Sequence, residues 1–164
     1  MRYRILIIAV LTINHVNAQQ TTLNIEDLIF LDNTRWKGTL MYVNYSDGKE
    51  VDISKELKIT IQGNKLIMEN TYPNEPKANT RQAIKLRKNG AYFGKEKISS
   101  VDKQSNGNLT IRTKTIGKDN GVKAFLIKTY TIASETLMIA KEVQVLGSSR
   151  IFLRNKSLFK KHQP

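Results

Sequence analysis

The chain has 164 residues, no cysteine, two histidines and a formal net charge of +13. Without cysteine it can form no disulfide and use no thiol chemistry, and with two histidines it offers few of the side chains that bind zinc. The excess of Lys and Arg makes an anionic partner conceivable, but the lysines are scattered along the chain, which favours a solvated surface over a single binding stripe.

Residues 1–18 are predicted to be a secretory signal peptide. A basic start precedes an apolar run, Ile5 to Ile13, and a short polar stretch leads to Ala18. This order is typical of a cleaved signal, and the apolar run is too short to span a bilayer. We therefore expect a single domain, residues 19–164, in a periplasmic or secreted protein. A buried N-terminal strand is the alternative interpretation of the apolar run.

The rest of the chain predicts an all-β fold. Ile25 to Leu31 can form one or two helical turns that close one end of the fold. From Trp36 to Phe159, apolar and polar residues alternate between turns of Gly, Asn, Asp or Ser. Such alternation is typical of antiparallel strands with one buried face, and Asn89-Gly90 is the strongest hairpin signal. We count nine strands, or ten if the second is broken between Ser54 and Glu56.

Consecutive strands of this number must close or stack, because a flat sheet would expose long edges and an apolar face. We therefore predict an antiparallel up-and-down barrel of about 8–10 strands with a short N-terminal helical turn. In chain order, the strands are predicted at Trp36 to Tyr42, Val51 to Ile61, Leu66 to Tyr72, Gln82 to Leu86, Tyr92 to Val101, Leu109 to Thr113, Val122 to Ile132, Thr136 to Leu146 and Arg150 to Phe159.

Two motifs carry a family resemblance. Thr34-Arg35-Trp36-Lys37-Gly38 after the helical turn and Phe152-Leu153-Arg154 in the last strand resemble the lipocalin and fatty-acid-binding-protein (calycin) superfamily. The resemblance implies a barrel in which Trp36 packs beneath Arg154 as a cation–π closing pair. Small exported lipocalin-like bacterial proteins of uncharacterised function are similar over more of the chain, namely Asn33 to Lys49, Tyr72 to Lys77 and Lys141 to Val143.

A ligand cavity would be lined by side chains on the inner face of the barrel. The candidates are Tyr42, Met68, Leu126, Lys128, Tyr130 and Phe152. Together they mix apolar walls with a few polar anchors, as ligand sites do, although each could also simply fill a small barrel. Lys128 is the sharpest candidate, because an inward lysine would seek a carboxylate, either that of a fatty acid or that of Glu142.

Several functional classes remain open. The first is an exported barrel that binds a small hydrophobic or amphipathic molecule without covalent attachment. The second is a basic-surface module for lipopolysaccharide, an anionic polysaccharide or an acidic protein partner. An outer-membrane barrel is disfavoured, because outward residues such as Lys58, Lys85 and Arg112 would face lipid.

Enzyme chemistry has little sequence support, since His15 lies in the predicted signal and His162 in the tail. Serine and cysteine triads therefore lack their usual base, and no phosphate-binding or dinucleotide motif is present. We expect no catalytic residues, no metal or other cofactor and no nucleic-acid partner.

Overall fold

The computed structural model describes residues 20–162, so the predicted signal peptide lies outside the described residues. These residues form one closed antiparallel barrel, in which each strand pairs with its neighbours in the chain and the first pairs with the last. The strands are β1 (Thr34–Val43), β2 (Glu50–Gln62), β3 (Lys65–Thr71), β4 (Thr80–Arg87), β5 (Tyr92–Phe93), β6 (Glu96–Lys103), β7 (Leu109–Asp119), β8 (Val122–Ile132), β9 (Thr136–Val145) and β10 (Phe152–His162). The all-β barrel prediction is confirmed.

Two short 3-10 helices accompany the barrel, Ile25–Leu31 before β1 and Pro76–Ala78 between β3 and β4. The first has the bounds that the sequence predicted. None of the helices within residues 20–162 is long and apolar enough to cross a membrane.

The tenth strand arises from a different break than the one considered in the sequence. β2 continues unbroken through Ser54 to Glu56, with a regular register against β1. The predicted strand Tyr92 to Val101 is instead divided into β5 and β6 at Gly94, whose φ of +67° is in the left-handed region that favours glycine. The last strand extends to His162, which therefore lies in the sheet opposite Arg35 and not in a tail.

One end of the interior, which we call the closed half, is filled with apolar side chains. Helix Ile25–Leu31 covers this end, and its Leu28 and Leu31 are buried in the core. The core side chains beneath it include Trp36, Leu57, Ile59, Leu66, Met68, Ile84, Phe93, Ile111, Tyr130, Leu137 and Phe159. The void left among them is about 10 Å³, which is no more than the volume that one water molecule needs. The closed half is therefore a packed core.

Hydrogen bonds fix the covering helix to the first two strands. The indole Nε1–H of Trp36 donates to Thr34 Oγ1 at 2.9 Å, and the Thr34 hydroxyl donates to the carbonyl of Leu31 at 2.6 Å. On the other side of the same turn, the Ile61 amide donates to Asp32 Oδ1 at 2.7 Å. These bonds satisfy polar groups that would otherwise be buried without partners.

The closing pair of Trp36 and Arg154 that the resemblance implied is not formed. In the antiparallel ladder between β1 and β10, Trp36 lies opposite Lys161, whereas Tyr42 lies opposite Asn155. Arg154 therefore lies at the other end of the barrel from Trp36. The ladder itself closes the barrel, and Gly38 permits the close approach, because a Cβ there would collide with the backbone of β10.

Candidate functional site

The other end of the interior, which we call the open half, keeps partial contact with solvent. Six of its apolar inner side chains are only half-buried, namely Leu40, Tyr42, Val51, Ile53, Leu126 and Phe152, whereas Val143, which lies opposite Leu126 and Phe152, is fully buried. On β2 the change occurs along one face, since Leu57 and Ile59 are 2% and 1% exposed in the closed half. The open half is thus the part of the interior where a ligand could contact the wall.

A notch in the barrel wall adds to this exposure. β5 pairs with β4 only at Leu86 and Arg87, and β6 pairs with β7 only from Lys97 to Lys103. Among the described residues, residues 80–85 of β4 and residues 115–119 of β7 therefore have no strand partner on the sides by which these two strands face each other. Consistent with this gap, Gln82 is exposed although it lies on the inward face of β4.

Glu96 marks the base of the notch and anchors two inner side chains. Its Oε2 accepts a hydrogen bond from the Thr113 hydroxyl at 2.6 Å, and its Oε1 accepts one from Lys128 Nζ at 2.5 Å. Lys128 points inward, toward Glu96. Its carboxylate partner is not Glu142, which instead pairs with Arg112 at 3.0 Å on the outer surface.

A second charged cluster lies near the mouth, around the buried carboxylate of Asp119. Asp119 Oδ1 accepts hydrogen bonds from the Tyr45 hydroxyl at 2.8 Å and from Lys141 Nζ at 3.1 Å. Arg154 Nε lies 3.8 Å from Asp119 Oδ2, and its guanidinium carbon lies 3.1 Å from the centre of the Tyr45 ring. Arg154 thus makes a cation–π contact, but with Tyr45. Burial, followed by the hydrogen bond to Asp119, raises the pKa of the Tyr45 phenol.

Lys55 differs from the other inner cations, because no carboxylate of the described residues lies within 4.0 Å of its ammonium group. Its Nζ lies 3.2 Å from the Ser157 hydroxyl and 5.6 and 5.5 Å from the ring centres of Tyr72 and Phe159. Burial lowers the pKa of Lys55 to about 8. Phe159 belongs to the packed core, so Lys55 lies at the floor of the open half.

The structure separates the six predicted lining residues into two groups. Met68 and Tyr130 lie in the closed half, where Tyr130 packs edge-on against Phe93 with ring centres 5.2 Å apart. The void there is too small for a ligand, so these two side chains fill the core and do not line a ligand-sized cavity. The other four predicted residues, Tyr42, Leu126, Lys128 and Phe152, lie in the open half.

Sequence reasoning identified Lys128 but missed three other charged residues of this site, Lys55, Glu96 and Asp119. Lys55 occupies an inward position of β2 between Ile53 and Leu57, so the alternation could have identified it. Glu96 and Asp119 gave no such signal, because each lies at a strand end beside a turn, where a carboxylate usually faces water.

Metal ligands and relatives give no further information. Within residues 20–162, no three His, Cys, Asp or Glu side chains come together as a metal site requires. No protein-family model and no curated protein sequence matches the chain. The ten-strand antiparallel barrel is compatible with the lipocalin-like fold that the motifs resemble.

Proposed function

We propose that this protein is an exported lipocalin-like barrel that binds a small amphipathic carboxylate non-covalently in the open half. The observation that carries the proposal is Lys55, a half-buried ammonium group with aromatic neighbours and no carboxylate partner among the described residues. A buried charge without a counter-ion is unfavourable, so an incoming anion would gain a strong interaction there. The role is binding and not catalysis.

The charge balance of the open half favours the same class of ligand. Its inner wall carries four cations, Lys55, Lys128, Lys141 and Arg154, and two carboxylates, Glu96 and Asp119. Four positive and two negative charges leave a formal balance of +2 in a partly desolvated space. Electrostatic attraction is stronger there than in bulk water, so an anion is favoured over a neutral or cationic ligand.

The apolar part of the ligand would lie along β1 and β2. Leu40 and Ile53 are directly opposite each other in the ladder between these strands, as are Tyr42 and Val51. All four are half-buried, so covering them with an alkyl or aromatic body removes apolar surface from water. The notch between β4 and β7 gives lateral access in addition to the mouth.

Calorimetric titration with dodecanoate and with dodecanol tests this proposal. Dodecanoate is expected to bind the full chain, and Lys55→Met is expected to weaken it about tenfold or more, because a charge-assisted contact contributes about 1.5–3 kcal/mol. Dodecanol has the same chain without the charge, so its affinity should barely change in the variant. Lys85→Met removes one outward lysine and is the matched control. An equal loss of dodecanoate affinity in both variants, or no binding of dodecanoate to the natural protein, would refute the proposal.

A second candidate function rests on the outer face of β6, β7 and β8. Lys97 lies directly opposite Lys114 in one ladder, and Lys118 lies opposite Lys123 in the next. Facing like charges destabilise a sheet, so these positions favour an external anion. Lys97, Lys114, Ile116 and Phe125 line an outer groove of about 480 Å³, and Ile116 is 58% exposed. Lysines beside exposed apolar side chains fit an anionic lipid such as lipopolysaccharide better than a polysaccharide.

Co-sedimentation with vesicles tests this second candidate. Binding to phosphatidylglycerol vesicles is expected in about 0.1 M salt and should be largely lost near 0.5 M, because screening shortens the range of surface charges. Vesicles of phosphatidylcholine alone should not bind. The double variant Lys97→Gln, Lys114→Gln should bind less than the double variant Lys65→Gln, Lys85→Gln, which removes the same charge from a facing pair of lysines on β3 and β4. Equal binding of the two variants would exclude this groove.

A further inference from the structure

We propose that Lys55 also acts as a nucleophile and captures aldehydes with an apolar body as an imine in the open half of the barrel. This inference uses the access to the open half on which the proposed function rests, but it concerns a different reaction and a different ligand class. The inner lysines divide into two kinds by their contacts.

Two inner lysines are held as cations by carboxylates. Lys128 Nζ lies 2.5 Å from Glu96 Oε1, and Lys141 Nζ lies 3.1 Å from Asp119 Oδ1. A neighbouring carboxylate stabilises the protonated amine, which has no lone pair to attack a carbonyl carbon. These two lysines are therefore poor nucleophiles, although they line the same space.

Lys55 has the opposite environment. The contacts of its Nζ are the Ser157 hydroxyl and the faces of two aromatic rings, those of Tyr72 and Phe159. Burial with no opposite charge favours the neutral amine, which is how proteins activate lysines that form imines. With a pKa of about 8, roughly one Lys55 in five is neutral near pH 7.4, against about one in a thousand for an ordinary lysine.

Ser157 is placed to assist the proton movements of the reaction. The neutral Lys55 amine would add to the carbonyl carbon, and a proton would pass from nitrogen to the former carbonyl oxygen through the Ser157 hydroxyl, which is 3.2 Å from Nζ. The second N–H proton then passes to the new hydroxyl group, the carbon–oxygen bond breaks as water leaves, and the carbon–nitrogen double bond forms. One amine and one aldehyde give one imine and one water, with no change of oxidation state.

The surroundings of Lys55 also favour the product. Ser157 is 3% exposed and Phe159 is 3% exposed, so the floor is sheltered from bulk water, which would otherwise hydrolyse the imine. The imine carries a positive charge once it takes up a proton from water, and the faces of Tyr72 and Phe159 can stabilise that charge as they do the charge of the ammonium group.

Borohydride trapping with decanal tests the inference on the unaltered full chain. With less than one equivalent of decanal, reduction is expected to fix a single decyl group, and peptide mass mapping is expected to place it on Lys55. Label spread over surface lysines, or found on Lys128 or Lys141 as readily as on Lys55, would overturn the inference. This arm requires no variant, so a folding defect cannot obscure it.

Three variants sharpen the assignment. Lys55→Arg should lose the trapped adduct, whereas Lys85→Arg, which keeps the charge of an outward lysine on β4, should retain it. Ser157→Ala should slow trapping several-fold without moving the label, and an unchanged rate would remove Ser157 from the proposed path.

Parallel titration with dodecanoate separates this inference from the proposed function. Dodecanoate binding without a Lys55 adduct would refute the imine and leave the carboxylate carrier intact. A Lys55 adduct without dodecanoate binding would refute the carrier and leave the imine intact.

Discussion

The closed and open halves of the barrel share the same strands but differ in what fills them. β2 crosses both, and its inward face carries Ile53 in the open half and Ile59 in the closed half. Ile59 is 1% exposed beneath the covering helix, whereas Ile53 is only half-buried. The alternation along a strand therefore decides which side chains point into the barrel. How deeply each one is buried depends on the neighbouring strands and on whether the helix covers that end.

The first prediction tests the difference in packing by making the same substitution in the closed half and in the open half. Ile59→Ala should lower the free energy of unfolding by about 3–4 kcal/mol, because it removes buried methylene groups and leaves a cavity in a packed core. Ile53→Ala should cost only about 1 kcal/mol, since its side chain is already partly solvated. Urea unfolding measures both. Equal losses would show that the open half is as tightly packed as the closed half.

The alternation of the sequence predicts this barrel well, but it does not predict the level at which packing ends. It places the inner faces of β2 and β8 correctly, and the helix Ile25–Leu31 follows from its apolar spacing. It cannot predict that the strand Tyr92 to Val101 turns back at Gly94, because one glycine is compatible with a bulge, a bend or a turn. The short hairpin that results creates the notch.

The charged residues of the site were harder to predict for a related reason. The resemblance pairs Arg154 with Trp36, because a motif specifies residue types and not the register of the ladder that closes the barrel. That register places Arg154 beside the mouth, where its guanidinium group contacts Asp119 and the ring of Tyr45. Contacts such as these join residues far apart in the chain, and no local pattern specifies them.

The second prediction concerns the Asp119 cluster, which gives the open half a fixed polar structure. Asp119→Asn should destabilise the protein by about 2–3 kcal/mol, because it leaves the charges of Lys141 and Arg154 partly buried without a carboxylate. Glu142→Gln breaks an ion pair with Arg112 at the surface and should cost less than about 1 kcal/mol. Thermal and urea unfolding of both variants provide the measurement. A small effect of Asp119→Asn would mean that water reaches the cluster freely.

The third prediction concerns Lys55, whose replacement should raise the free energy of unfolding by an amount that depends on pH. Lys55 is protonated in both the folded and the unfolded state below its folded pKa of about 8, so the full cost of burying its charge is present there. Between that pKa and the ordinary lysine value the unfolded state binds more protons, so the stability of the natural protein rises with pH. Above the ordinary value both states are neutral, and the cost has gone.

Lys55→Met should therefore stabilise the protein by about 1–2 kcal/mol near pH 7, a value reduced from the full shift because the side chain remains partly solvated. The gain should shrink as pH rises through about 8 to 10 and vanish above that range. Urea unfolding of the variant and the natural protein at matched pH gives the difference directly, and Lys77→Met, at an exposed lysine of the helix Pro76–Ala78, should show none. A gain that persists at high pH would mean that methionine simply packs better there. A loss of stability at pH 7 would mean that the contacts of Lys55 with Ser157 and the aromatic rings outweigh the cost of burying its charge. The open half would then stabilise Lys55 without a ligand.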